Sequence, residues 1–190
     1  MPRLAIIVAS TRPGRVGRDI AEWFHLHAAN HGGFDLDLVD LAEIGLPFLD
    51  EPEEASTRVY THQHTKDWSA RVEAADAFVF VMPEYNNGFN APLKNALDFL
   101  YYEWQYKPVS FVSYGMTSAG LRAVQMIKQV VAALKMMPVA EAVSVPLRQC
   151  LDENGRLMPN DIMTALATEM LDELERLTTA FGTIRAAVGG

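Results

Sequence analysis

Ser10-Thr-Arg-Pro-Gly-Arg-Val-Gly17 is the first stretch whose residue types could do chemistry. Ser10 and Thr11 offer hydroxyls, Arg12 and Arg15 offer guanidiniums, and Gly14 and Gly17, with Val16 between the last pair, let the backbone come close to a ligand. A helical pattern begins directly afterwards, so unpaired N–H groups and the helix dipole both favour negative charge here. That combination is a receptor for a phosphate dianion. The loop lacks the Gly-Lys-Ser/Thr ending of a Walker A loop and is not Gly-x-Gly-x-x-Gly, which argues against a dinucleotide Rossmann site. The plainer alternative is a polar loop in which Ser10 or Thr11 caps the helix and the arginines are solvated.

Pro83-Glu-Tyr-Asn-Asn-Gly88 is the second stretch. Asn-Asn-Gly marks a turn that tolerates positive φ. Such a turn exposes successive N–H groups, and Tyr85 adds a flat apolar face. A planar heteroaromatic ligand can hydrogen-bond to those amides and lie against the ring; a tight surface turn with Tyr85 packed on its neighbours is the alternative. The third stretch, Ser113-Tyr-Gly-Met-Thr-Ser-Ala-Gly120, has small residues that again allow close backbone approach, at Gly115 above all.

Conventional catalytic sets are missing. None of His25, His27, His31, His62 and His64 neighbours a plausible nucleophile. His27 and His31 are four apart, a spacing able to hold a metal, but with no third ligand in view they read as a solvated helix face. His62 and His64 fall in a polar loop. The single cysteine, Cys150, excludes an intramolecular disulfide and a two-thiol redox motif, and reads as a buried small apolar residue. Such an absence fits a protein whose cofactor carries the chemistry.

The three stretches need a frame that sets them side by side. Leu4 to Ala9 is a continuous apolar run, as in a strand buried on both faces of a parallel sheet. A helix from Asp19 to Ala29 follows, with Ile20, Trp23, Phe24 and His27 at helical spacing, and Gly32-Gly33 ends it. Phe34 to Leu41 alternates, which suggests an edge strand. Residues 44–60, with Pro47, Pro52 and the acidic cluster Asp50, Glu51, Glu53 and Glu54, read as surface loop. A helix over 65–75 leads into a strand from Ala77 to Met82, which Pro83 stops. The spacing then predicts a helix from Ala91 to Tyr101, a strand from Val109 to Ser113 and a helix striped from Leu121 to Leu134. A short strand from Ala142 to Val145 and a helix over 160–181 close the chain. Five strands interleaved with helices predict an α/β fold, one domain over residues 1–190, with a five-stranded parallel sheet and helices on both faces. Ligands bind such sheets beyond the carboxyl ends of the strands, where the three stretches fall.

Composition agrees. The 190 residues are 49% hydrophobic and 21% charged, ordinary for a globular protein, and folding at this size buries roughly 70% of the chain's surface. A net charge of −8 with scattered basic residues argues against nucleic acid. No apolar run approaches a membrane span, and none at the N-terminus suits a signal peptide. The expectation is a soluble, cytoplasmic protein.

Ser10-x-Arg12, Pro83-Glu84-Tyr85-Asn86 followed by Pro92-Leu-Lys-Asn-Ala-Leu-Asp98, and the third stretch resemble, in order and spacing, the NAD(P)H-dependent FMN reductase family of the flavodoxin-like superfold. The resemblance implies sheet order 2-1-3-4-5, FMN as cofactor and NAD(P)H as cosubstrate. It implies that Ser10, Arg12, Arg15, Val16 and Gly17 hold the FMN phosphate. Pro83, Glu84, Tyr85, Asn86 and Gly88 would contact the ribityl chain and one edge of the isoalloxazine, with Ser113, Tyr114 and Gly115 bordering it from the other side. Many relatives carry Ser in place of Arg15, Asn in place of Gly17, and a Gly-Gly pair in the third loop where this chain reads Ser118-Ala119-Gly120.

The same resemblance implies hydride transfer from the nicotinamide through FMN to a small acceptor such as a flavin or quinone, in a homodimer or homotetramer. The run Phe99, Leu100, Tyr101, Tyr102 and Trp104 is more than one helix can bury against its own sheet, so either it is unusually enclosed or part of it faces another subunit; the assemblies of the family favour the second. Two rivals share the fold: a flavodoxin-type electron carrier, whose phosphate loop typically has no arginine, and a flavin-binding sensor. A receiver domain would need an aspartate ending the third strand, where this chain has Met82-Pro83-Glu84.

Overall fold

Leu4 to Val8 are buried on both sides, and with Arg3 they form β1 (Arg3–Val8) at the centre of one parallel sheet. The computed structural model describes residues 1–188. β1 pairs on one side with β2 (Asp35–Asp40) and on the other with β3 (Ala77–Pro83), which pairs in turn with β4 (Pro108–Gly115). The order is β2-β1-β3-β4-β5, as the resemblance implied, and β2 is an edge. The far edge holds two short strands where one was expected. β5 (Met137–Pro138) lies against Pro108 and Val109, and β6 (Val143–Pro146) lies against Val112 to Gly115. Pro138 has no N–H for the ladder, and the edge position is taken up again only at Val143.

Helices cover both faces. α1 (Gly17–His31) and α7 (Asp161–Val188) pack on Leu4, Ile6, Val8, Val79 and Val81. The other face, with Ile7, Phe78, Phe80 and Phe111, carries α3 (Gln63–Glu73), α4 (Ala91–Asp98) and α5 (Leu121–Ala133). Gly32 ends α1 at φ 78 with its N–H on the Ala28 carbonyl, as the paired glycines suggested. Two one-turn helices escaped the sequence reading: α2 (Leu41–Ile44) and α6 (Leu147–Cys150).

Of the two courses open to the aromatic run, the structure shows enclosure, and the helix expected to reach Tyr101 is shorter. α4 stops at Asp98, and a 3₁₀ turn at Tyr102–Trp104 follows. That break lets side chains leave the backbone in directions one continuous helix would forbid, so Phe99, Leu100 and Trp104 are 1%, 1% and 0% exposed inside the chain's own core. The Trp104 ring lies 5.0 Å from Phe78 and 6.0 Å from Trp68. Tyr102 remains outside, and the run does not by itself call for a second subunit.

His27 and His31 are not a merely solvated face either. Their Nε2 atoms sit 3.0 Å from Thr168 Oγ1 and 3.0 Å from Asp172 Oδ1, linking α1 to α7. Cys150 is buried. Among the described residues no group of three His, Cys, Asp or Glu is arranged to hold a metal, and no helix is long and apolar enough to cross a membrane.

Candidate functional site

β1, β3 and β4 end at the same border of the sheet, with Val8 opposite Val81 and Pro83 opposite Tyr114. The three loops that follow them are therefore neighbours.

The first loop leaves β1 through Ala9, whose N–H donates to Val81 O at 3.0 Å and whose carbonyl accepts from Asn90 Nδ2 at 2.7 Å. Ser10 is buried, Thr11 to Gly14 are exposed, and α1 starts at Gly17 with no side chain capping its first turn. The uncapped N–H groups are free to face an anion. The arginines divide sharply. Arg15 grips Asp40 with two nitrogens, at 2.7 and 2.5 Å, and donates to the Ser10 carbonyl. Arg18 sits between Asp40, at 2.9 Å, and Glu22, at 2.8 Å. Burial alone would raise the Asp40 carboxyl; hydrogen bonds from Arg15, the Ala42 N–H and Arg18 outweigh it and hold that carboxyl below the usual range. Arg12 is exposed and has no ion pair among the described residues.

The second loop is a two-residue turn. Tyr85 and Gly88 exchange both backbone hydrogen bonds, each at 2.9 Å, across Asn86 (φ 50) and Asn87 (φ 68). Positive φ at both central residues is the hairpin geometry that asparagine tolerates best after glycine. The N–H groups of Asn86 and Asn87 have no partner among the described residues. Tyr85 is 41% exposed, with its hydroxyl 3.4 Å from Ser10 Oγ, so it bridges the first and second loops.

Glu84 turns away from that face. Its N–H donates to the Tyr114 carbonyl at 2.9 Å, while its carboxylate accepts from the Ser118 hydroxyl and, at 3.0 Å, from the Arg122 N–H. The carboxylate thus caps α5 and braces the second loop against the third. Arg122 adds a bond from Nη1 to Asn87 Oδ1 at 2.9 Å. Burial would raise the Glu84 carboxyl, but the donors of Ser118, Arg122 and Ala123 outweigh it, and it lies below the ordinary value.

In the third loop, Ser113 Oγ donates to Ala119 O at 2.9 Å, and Gly120 takes φ +89. A Cβ at Gly120 would fall 2.5 Å from Ser113 Cβ, so only glycine fits. Gly115 ends β4 with its would-be Cβ 3.2 Å from Gly120 N. Tyr114 is 4% exposed, and its hydroxyl reaches the first turn of α1. There it is buried with no hydrogen-bond partner among the described residues. Burial pushes the phenol well above its ordinary pKa, so it is a donor and not a phenolate.

These features fit FMN. An orphaned hydroxyl, uncapped helix N–H groups and a free guanidinium suit a phosphate; two outward amides and the exposed Tyr85 ring suit a planar ring. Tyr85 reaches Ser10 and Tyr114 reaches Gly17, while Arg15, Glu84 and Ser113 carry internal bonds. Pro83 ends β3, and Asn86 and Gly88 build the turn. Asp40, Asn90 and Arg122 were missed, because their importance depends on which strand ends meet. A cleft of about 490 Å³ also opens beside the first loop, with Thr11, Leu46, Phe48, Pro92 and Asn95 in its walls.

A flavodoxin-like sheet with a phosphate-ready loop after β1 and two braced loops after β3 and β4 is the frame of an FMN-binding oxidoreductase. The chain belongs to the NADPH-dependent FMN reductase family, whose model matches residues 2–149. It is 38% identical over 185 residues to an NAD(P)H-dependent FMN reductase of Schizosaccharomyces pombe, covering 95% of this chain and 88% of that one. With the NAD(P)H-dependent FMN reductase LOT6 of Saccharomyces cerevisiae it shares 33% identity over 196 residues, covering 96% and 98%. The fold is similar to that of FerB, a flavoenzyme NAD(P)H:(acceptor) oxidoreductase of Paracoccus denitrificans, with TM-score 0.75 over 95% of this chain and 99% of that one at 16% identity.

Proposed function

We propose that residues 1–190 act as one FMN-binding domain that passes a hydride from NAD(P)H to a small acceptor, a flavin, quinone or similar molecule. The observation that carries this reading is the buried Tyr114 hydroxyl, without a hydrogen-bond partner among the described residues, at the uncapped start of α1, with the exposed Arg12 in the loop that leads into that helix. When bound, FMN supplies the hydride-accepting and hydride-donating chemistry that no side chain here offers.

The chain's own residues bind and orient. Arg12, the first N–H groups of α1 and the Tyr114 hydroxyl donate to the phosphate. The Asn86 and Asn87 amides, fixed by their turn, face the edge of the ring and favour negative charge there without reorganising. Glu84, committed to α5, keeps its own negative charge from opposing them.

The reading includes a cytoplasmic location, where reduced nicotinamide is at hand, and assembly as a homodimer or homotetramer. Support for assembly comes from Phe48, 86% exposed at the cleft beside the first loop, and from its neighbour in the chain Leu49, 48% exposed.

Spectroscopy of purified protein mixed with FMN and then given NADPH or NADH in air is the direct test. A bound-flavin spectrum with steady nicotinamide oxidation is expected. Bound flavin without turnover would point to an electron carrier or sensor, and no binding would remove the site assignment.

A further inference from the structure

We infer that Asp40 is a positioning residue of the phosphate loop, acting through Arg15, and that Arg15 makes no phosphate contact; the inference rests on the FMN reading above. The Asp40 side chain is fully buried at the end of β2, against 18% exposure for that of Arg15. Both carboxylate oxygens are taken. Oδ1 accepts from Arg15 Nη1 at 2.7 Å and from the Ala42 N–H at 3.0 Å, and Oδ2 accepts from Arg15 Nη2 at 2.5 Å and from Arg18 Nη1 at 2.9 Å. Arg15 Nη1 also reaches the Ser10 carbonyl.

A planar guanidinium held by two oxygens has its orientation fixed as well as its place. This one ties Ser10, two residues past the end of β1, to Asp40, the residue that ends β2. Ser10 to Arg15 is thereby closed into a ring whose only exposed members are Thr11 to Gly14, and Arg12 is presented outward from a fixed base. Were Arg15 to leave for a phosphate, it would strip a buried carboxylate of its bidentate partner, and removing one partner of a buried pair is strongly unfavourable. Arg12 faces no such competition.

The two roles for Arg15 predict opposite signs. A carboxylate near a phosphate dianion repels it, so if Asp40 were merely holding back a phosphate ligand, Asp40→Asn would tighten FMN binding. With Asp40 as a strut, Asp40→Asn weakens FMN about tenfold and leaves riboflavin, which lacks the phosphate, unchanged. Contacting residues that act as a unit are non-additive, so adding Arg15→Ala to Asp40→Asn weakens FMN no further.

The experiment is a fluorescence titration of the apoprotein with FMN and with riboflavin, for wild type, both single variants and the double. It is paired with NMR of ¹⁵N-arginine-labelled wild type during FMN addition. The Arg12 side-chain signal should move and the Arg15 signal should stay. Tighter or unchanged FMN binding by Asp40→Asn, or an Arg15 signal that moves with Arg12, overturns the inference and leaves the FMN reading standing. If Asp40→Asn fails to fold, the wild-type NMR decides alone. A wild type that binds no FMN overturns the FMN reading and the inference together.

Discussion

The Tyr114 hydroxyl stands against the backbone of Gly17, so close that a Cβ at Gly17 would lie 2.2 Å from it. Glycine is required there by the neighbour and not by its own φ. Gly17→Ala should cost about 1–3 kcal/mol, the usual range for overpacking a well-filled site, and should weaken FMN binding by displacing both partners. Adding Tyr114→Phe should recover part of the stability but none of the affinity. Thermal unfolding and FMN titration check both, and a Gly17→Ala protein indistinguishable from wild type would refute the contact.

Tyr114→Phe alone separates stability from binding. Removing a buried hydroxyl that has no partner spares its desolvation, of order 1 kcal/mol, so the apoprotein should be at least as stable as wild type. FMN affinity should fall several-fold while riboflavin affinity holds. Equal FMN affinity in the two proteins would show that the hydroxyl does not serve the phosphate.

Arg12→Ala should weaken FMN binding by roughly ten- to a hundredfold, since a hydrogen bond to a charged group contributes about 1.5–3 kcal/mol. The loss should be confined to ligands carrying the phosphate. An isothermal titration with unchanged affinity removes Arg12 from the site.

Glu84 makes a prediction about acid. Its carboxyl is lower in the folded chain than the 4.5 of a free glutamate, so the folded state prefers the ionised form. The stability it contributes is present above pH 4.5 and is lost as pH falls through the folded value. Glu84→Gln should lower stability at neutral pH by about 0.5–2 kcal/mol, as for loss of a helix cap, and should flatten the decline below pH 4.5. Urea unfolding at several pH values measures this; parallel curves for the two proteins would contradict it.

Light scattering tests the assembly. A dimer or tetramer mass is expected, and Phe48→Glu should shift it toward monomer by placing a charge on the exposed rim of the cleft. A wild-type monomer would end that part of the proposal.

Much of this was legible beforehand, for local reasons. The unbroken apolar run of β1 could belong only to a strand covered on both faces, and Asn86-Asn87-Gly88 carries its turn geometry in its residue types. The pairing of Arg15 was hidden because its partner, Asp40, comes 25 residues later and meets it only when the two strands align, Val8 opposite Asp40. The same holds for Glu84, whose cap lies beyond the next strand. The enclosure of Phe99, Leu100 and Trp104 was hidden because a one-turn break in a helix leaves a faint trace in hydropathy yet redirects every side chain after it.

The brace from Glu84 to Ser118 and Arg122 makes the spacing of the second and third loops a property of the chain's own contacts. A receptor already shaped for its guest loses little freedom on capture, and it keeps its form when the guest departs. On the proposed reading, such a protein should drain of its flavin and refill without unfolding.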